Sequence, residues 1–229
     1  MCGRFVLTAN ADVIQLKFDL DTVPEGIQAR YNIAPSQPVA AVANDDPSAL
    51  TFFKWGLIPF WSKDPDIGNR LINARAETLH EKSSFKHAYR RRRCLIPADG
   101  FYEWSKRGDS KTPMFIHMKD GELFAFAGLW ERWNSPEGDE IRTCTIITTE
   151  PNDLVKSLHN RMPVILREED YDTWLSPDEL PPDVLQPFLR PYEADLMDVY
   201  QVSPLVNSPA NDTPECIAPV VPPQQSALL

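Results

Sequence analysis

An α+β fold, rather than a doubly wound parallel sheet, is what this sequence of 229 residues predicts. Three observations carry that expectation. Runs of strand length, rich in β-branched and aromatic residues, outnumber amphipathic helical segments. The two kinds of segment do not alternate in the regular order that a parallel α/β sheet requires. The 22 prolines are spread along the chain, where they punctuate loops and limit element length.

In chain order, Arg4 to Thr8 reads as a short strand. Asn10 is placed to cap a helix from Ala11 to Leu20, with Val13, Ile14, Leu16 and Phe18 as its apolar residues. Pro38 to Ala43 and Leu50 to Ile58 read as strands. Glu77 to Arg93 has a helical signature that ends in the arginine run Arg90 to Arg93. Cys94 to Trp104, Pro113 to Met118, Leu123 to Trp130 and Arg142 to Thr149 are further strands. Asp153 to His159 looks helical and is followed by a strand from Pro163 to Leu166. Glu168 to Leu175 and Pro182 to Arg190 are acidic-faced helices, and Asp198 to Ser203 is a late strand. From Asn207 to Leu229 the chain is proline-rich and polar, which predicts a packed, extended arm that frays at its end. The expected organisation is one domain over 1–206 and the arm over 207–229.

A hydrophobic fraction of 42% suffices for a sizeable core. No apolar stretch reaches membrane-spanning length, and the start Met-Cys-Gly-Arg-Phe is not a basic region followed by an apolar run. The expected address is therefore the cytoplasm, or the nucleoid or nucleus if the partner is DNA. Cys2, Cys94, Cys144 and Cys216 form no CxxC pair and no zinc-ligand spacing with the histidines, so reduced thiols and no metal or cofactor are expected. Cys94 and Cys144 lie in apolar runs and read as buried. The net charge of −10 argues against a generic nucleic-acid binder, but it is unevenly spread. Met1 to Ser110 carries a net +2 and Lys111 to Leu229 a net −12, which leaves room for a basic surface in the first half.

Cys2 stands out by position. Loss of Met1 would expose a 1,2-aminothiol, whose amine (ordinarily titrating at about 7.7–8.0) is partly neutral near pH 7 and attacks aldehydes. The adjacent thiol can then close on the imine carbon to give a five-membered thiazolidine, which an internal cysteine cannot do. Chance is the plain alternative, since many chains begin Met-Cys. Further along, Asn73, Arg75 and Glu77 gather an amide, a guanidinium and a carboxylate on one segment. Glu103 sits between Tyr102 and Trp104, so alternation sends it to the other face, toward solvent or into a pocket suited to proton transfer. His159 lies between a helix and a strand, where site residues often sit, although a lone histidine is more often structural. Trp55 reads as core, and Trp61, beyond Pro59, could stack on a base. The arginine run is read equally as a phosphate contact or as a solvated helix end.

The segments Met1-Cys2-Gly3-Arg4-Phe5, Tyr31-Asn32-Ile33-Ala34-Pro35, Trp55-Gly56-Leu57-Ile58-Pro59, Leu71 to Glu77, Arg93-Cys94-Leu95-Ile96-Pro97, Gly100 to Trp104 and His159 to Leu166 together resemble the SOS response-associated peptidase (SRAP) family. They span most of the chain in order. The resemblance implies a single α+β domain with a β-barrel-like antiparallel core and flanking helices. It implies action on single-stranded DNA that contains abasic sites, with Cys2 forming a thiazolidine with the ring-opened sugar, and the chain is expected to be a monomer. By the same resemblance Asn73 would orient the sugar, Glu103 would act as acid and base, and His159 would assist proton transfer. Arg4, Arg75 and Arg161 would hold phosphates, and Trp61 and Pro35 would pack against bases. Removal of Met1, proposed to be autocatalytic, and an abasic-site lyase activity complete what the resemblance implies. The rival readings are an N-terminal-nucleophile glutaminase, a non-catalytic single-strand binder and a protease acting on other proteins. The first would want oxyanion donors from an Asn-Gly turn, and no glycine here follows an asparagine.

Overall fold

Backbone ladders gather thirteen strands into two sheets in the computed structural model, which describes residues 2–107 and 110–220. The strands are β1 (Phe5–Leu7), β2 (Arg30–Ile33), β3 (Pro38–Ala43), β4 (Asp46–Trp55), β5 (Asn73–Arg75), β6 (Arg93–Ala98) and β7 (Gly100–Arg107). They continue with β8 (Ser110–Met118), β9 (Phe124–Asn134), β10 (Glu140–Thr149), β11 (Met162–Pro163), β12 (Ile165–Leu166) and β13 (Met197–Gln201). The helices are short: α1 (Ala11–Lys17), α2 (Lys86–Arg91), α3 (Tyr171–Trp174) and α4 (Pro182–Leu185). The fold is α+β, as expected.

Strands β4, β3, β6, β9 and β10 pair in that order, and β10 returns to β4, so the five close into a barrel without open edges. The closing pair is parallel, with Cys144 opposite Trp55, while the other four pairings are antiparallel. The second sheet runs β13-β8-β7-β1-β2. Phe5 of β1 joins the two, packing edge-on to Trp55 at 5.3 Å and to Phe126 of β9 at 5.6 Å. Such pairs add to the area that the rings bury. Cys94, Cys144 and Trp55 are all buried in this core. No helix among the described residues is long and apolar enough to cross a membrane.

Several expected elements are shorter or divided. Asn10 caps α1 by accepting from Val13 N–H at 3.0 Å, but the helix stops at Lys17 and Asp19 turns to φ 49°. The expected strand Cys94 to Trp104 is two strands in two sheets. Asp99 makes the corner, its carboxylate accepting from the Thr8 amide, the Thr8 hydroxyl and the Ala9 amide. The expected helix Glu77 to Arg93 reduces to a 3-10 turn (Ala76–Thr78) and α2. Tertiary contacts override its helical pattern: Arg93 starts barrel strand β6, is fully buried, and donates to the carbonyls of Trp174 at 2.8 Å and Ser176 at 2.6 Å. Asp153 to His159 holds only a 3-10 turn (Val155–Ser157). The expected strand from Pro163 to Leu166 is split at Val164, whose amide and carbonyl bond Ile147 and Ala127 instead.

The first part of the proline-rich segment is stitched to the second sheet. Asp212 accepts from the amides of Tyr31 and Asn32 and pairs with Arg30, and Cys216 is buried. The fraying expected for the end concerns 221–229, outside the described residues.

Gly56 ends β4 at φ 131°, and a Cβ there would lie 2.6 Å from the Gly68 carbonyl oxygen. An L-side chain is strained at that φ and meets backbone that cannot give way. Gly56→Ala is therefore expected to lower stability by about 2–4 kcal/mol, read as a lower urea midpoint with an unchanged slope.

Candidate functional site

The chain start is drawn into the seam between the two sheets. Beyond the end of β1, the Arg4 carbonyl accepts from Tyr102 N–H of β7 at 3.0 Å, and this sets Cys2 beside the strand that carries Glu103. Cys2 is 0% exposed. Burial pushes its thiol well above the usual cysteine range, and the negative charge of Glu103 pushes it further. Asn73 reaches the same place from β5, which lies parallel to β10 with Asn73 opposite Ile146. Its Nδ2 donates to the Cys2 carbonyl at 2.8 Å. Its Oδ1 is buried and accepts no hydrogen bond among the described residues, so an acceptor stands ready next to the first residues of the chain.

Glu103 is 4% exposed, so its side chain is not solvent-facing. It lines a cavity of about 390 Å³ together with Trp104, Lys106, Lys111, His159 and Asn207. His159 accepts from Arg161 N–H through Nδ1 at 3.0 Å. The same Nδ1 lies 3.3 Å from the Arg161 carbonyl, so the backbone of Arg161 fixes this edge of the ring in either tautomer. The structure thus brings Cys2, Asn73, Glu103 and His159 to one region, with a buried thiol, a pinned carbonyl, a carboxylate and an imidazole. Among the described residues no group of three or more His, Cys, Asp or Glu side chains is arranged to hold a metal.

The remaining expected residues are less uniform. Arg4 is half-buried, and its Nη1 donates to Asn32 Oδ1 and to the Val206 carbonyl, both at 2.7 Å. Arg161 makes a two-pronged pair with Glu77 at 2.7 and 3.0 Å and also donates to the Thr148 carbonyl. Arg75 is exposed and pairs with no carboxylate among the described residues. Trp61 is 48% exposed and Pro35 half-buried, and neither lines the cavity. The arginine run divides: Arg93 is internal, Arg92 pairs with buried Glu131, and Arg90 and Arg91 share Glu179.

Lys106 and Lys111 were not singled out from sequence. They face each other across the β7–β8 hairpin. Like charges directly opposite repel, and both here line the cavity, so the hairpin sets two cations at the wall that also carries Glu103. The signal was available only once the register of the hairpin was known. Asn207, which accepts from Trp104 Nε1 at 2.7 Å, arrives from the far end of the chain and carries no local signal.

All four cysteines are free and buried. Native protein is expected to resist iodoacetamide up to about pH 9, with all four thiols alkylated after unfolding. Intact mass reads the result, and rapid labelling of Cys2 in the folded state would contradict the buried, protonated thiol.

A family model described as SOS response associated peptidase (SRAP) matches residues 1–209. The chain is 54% identical over 222 residues to the abasic site processing protein YoqW of Bacillus subtilis, covering 95% of this chain and 99% of that one. It is 35% identical over 202 residues to the abasic site processing protein HMCES of Gallus gallus, covering 78% of this chain and 60% of that one. Among solved structures, a Bacteroides thetaiotaomicron protein superimposes with a TM-score of 0.88 at 28% identity, covering 96% of this chain and 100% of that one.

Proposed function

The chain belongs to the SRAP family, and from that premise we propose that it processes abasic sites in single-stranded DNA by covalent capture on Cys2. Its similarity to abasic site processing proteins over nearly its whole length supports the substrate class. The observation that carries the chemistry is that Glu103 and His159 line one cavity, while the charge of Glu103 acts on the buried Cys2 thiol and Asn73 holds the Cys2 carbonyl.

After Met1 is lost, the Cys2 amine adds to the aldehyde of the ring-opened sugar. One water leaves as the imine forms. The Cys2 S–H then adds across the C=N bond, sulfur to carbon and proton to nitrogen, closing the thiazolidine. The thiol reacts as a protonated neighbour brought within reach, so its low acidity does not prevent closure. Glu103 takes and returns the protons of addition and dehydration, and His159 assists proton transfer near the sugar or its phosphate. The unpaired Asn73 Oδ1 accepts from a hydroxyl of the open sugar.

Arg75, with Lys106 and Lys111, meets the flanking phosphates directly. Arg161 joins them by exchanging Glu77 for phosphate, and Arg4 uses Nη2, since Nη1 is already committed. Trp61 and Pro35 pack on neighbouring bases. An imine at an abasic sugar also promotes β-elimination, so strand cleavage is a side branch of the same intermediate. The test is denaturing electrophoresis of protein mixed with an abasic single strand, beside an intact-mass measurement of the N-terminus. A covalent complex that requires both the lesion and a Cys2 terminus supports the reading, and its absence from protein lacking Met1 refutes it.

A further inference from the structure

We propose that a basic cavity at α2 is a second phosphate site, which takes the sugar-phosphate backbone of the same single strand outside the cavity lined by Glu103 and His159. The inference rests on the reading of this chain as a processor of single-stranded DNA and extends the path of its substrate. The cavity encloses about 330 Å³ and is lined chiefly by His80, Lys86, His87, Arg90, Arg91 and Glu179. Lys86, Arg90 and Arg91 stand against a single carboxylate, so a positive island survives in a chain whose net charge is −10. Lys86 is exposed and pairs with no carboxylate among the described residues.

Glu179 is the occupant in the free protein. Its Oε1 forms an ion pair with Arg90 Nη2 at 2.8 Å, and its Oε2 accepts from Arg91 Nε at 2.8 Å and Nη2 at 2.6 Å. Two guanidinium groups, Arg91 through both Nε and Nη2 and Arg90 through Nη2, converge on one exposed carboxylate, an arrangement that a phosphate diester could occupy in its place. A phosphate displaces Glu179 by exchanging one ion pair for another, with Lys86 as the added attraction. The positive field is also felt by His87, whose ring is held below the ordinary histidine range by burial and by Arg92 and Arg91.

The site is continuous with the aromatic edge assigned to base stacking. The exposed ring of Phe60 packs against His87 with centroids 5.1 Å apart, and Trp61 is the next residue. Aromatic faces interleaved with cations are what a single-strand track needs.

The experiment compares undamaged single strands of about 5 and about 25 nucleotides, one near the lower end of a single-domain footprint and one beyond its upper end, together with the same strands carrying a central abasic site. Lys86→Glu with Arg90→Glu is expected to weaken binding of the long strand roughly five- to tenfold and to make its salt slope shallower by about 1.4, the share of two phosphates. The short strand should bind and cross-link as before. Glu179→Gln is expected to tighten the long strand roughly threefold, in the range of a surface ion pair; a merely structural Glu179 would instead give equal or weaker binding. Changes of equal size for both strands, or no change for either, overturn the site. If wild-type protein cross-links neither abasic strand, the Cys2 reading fails, while the affinities for undamaged strands still decide the α2 cavity.

Discussion

Cys2→Ala protein, freed of Met1, will fold, bind single-stranded DNA and form no complex with an abasic strand that survives denaturation. The side chain is wholly buried, and removing its sulfur costs about 1 kcal/mol of packing. The hydrogen bond from Asn73 goes to the residue-2 carbonyl and is unaffected by the change. What disappears is ring closure. An imine can still form at the terminal amine, but it hydrolyses on denaturation. Borohydride should therefore trap a complex in the variant that is not seen without reductant. In wild-type protein the complex is expected to form without reductant. Protein that retains Met1 should match the variant in the unreduced assay, because its amine lies on the wrong residue. A denaturant-stable complex formed by Cys2→Ala at the wild-type rate, without reductant, would remove Cys2 from the mechanism.

The second large effect is expected at Glu103. Glu103→Gln keeps size and hydrogen-bonding capacity at a position that is 4% exposed, and it loses the proton shuttle. Cross-linking should slow by about 10²–10⁴, the usual worth of a positioned acid-base group, with affinity for undamaged DNA within about twofold. The thiol should respond in the opposite sense. The Glu103 charge helps to hold the Cys2 thiolate off, so its removal lowers the thiol pKa and speeds alkylation of Cys2 modestly. Slower capture with faster alkylation separates a proton-transfer role from general damage to the site. Loss of DNA affinity in step with the rate would show instead that Glu103 supports binding.

Much of the strand framework was readable locally. Pro38 to Ala43 is a strand with those bounds, because an apolar run bounded by polar, turn-forming residues has few alternatives. The helical pattern of Glu77 to Arg93 failed because periodicity cannot register that Arg93 belongs to a barrel strand with five carbonyls around its guanidinium. Nor could alternation choose between the two fates of Glu103, since both lie off the face that buries Tyr102. The three expected phosphate arginines looked alike in sequence. Their neighbours separate them, with Arg4 tied to Asn32, Arg161 to Glu77, and Arg75 exposed.

The sequence by itself determined the inventory of residue types: a cysteine at position 2 and the amide, carboxylate and imidazole of Asn73, Glu103 and His159, which the family resemblance places with it. Those are properties of residue type and chain position, which folding does not alter. Tertiary structure alone decided that Asn73, 71 residues away, holds the Cys2 carbonyl, that Glu103 and His159 share one cavity, and that Asn207 returns to line it. Such adjacency comes from barrel closure and from the docking of the C-terminal segment. Both are long-range pairings, and no local stretch of the chain encodes them.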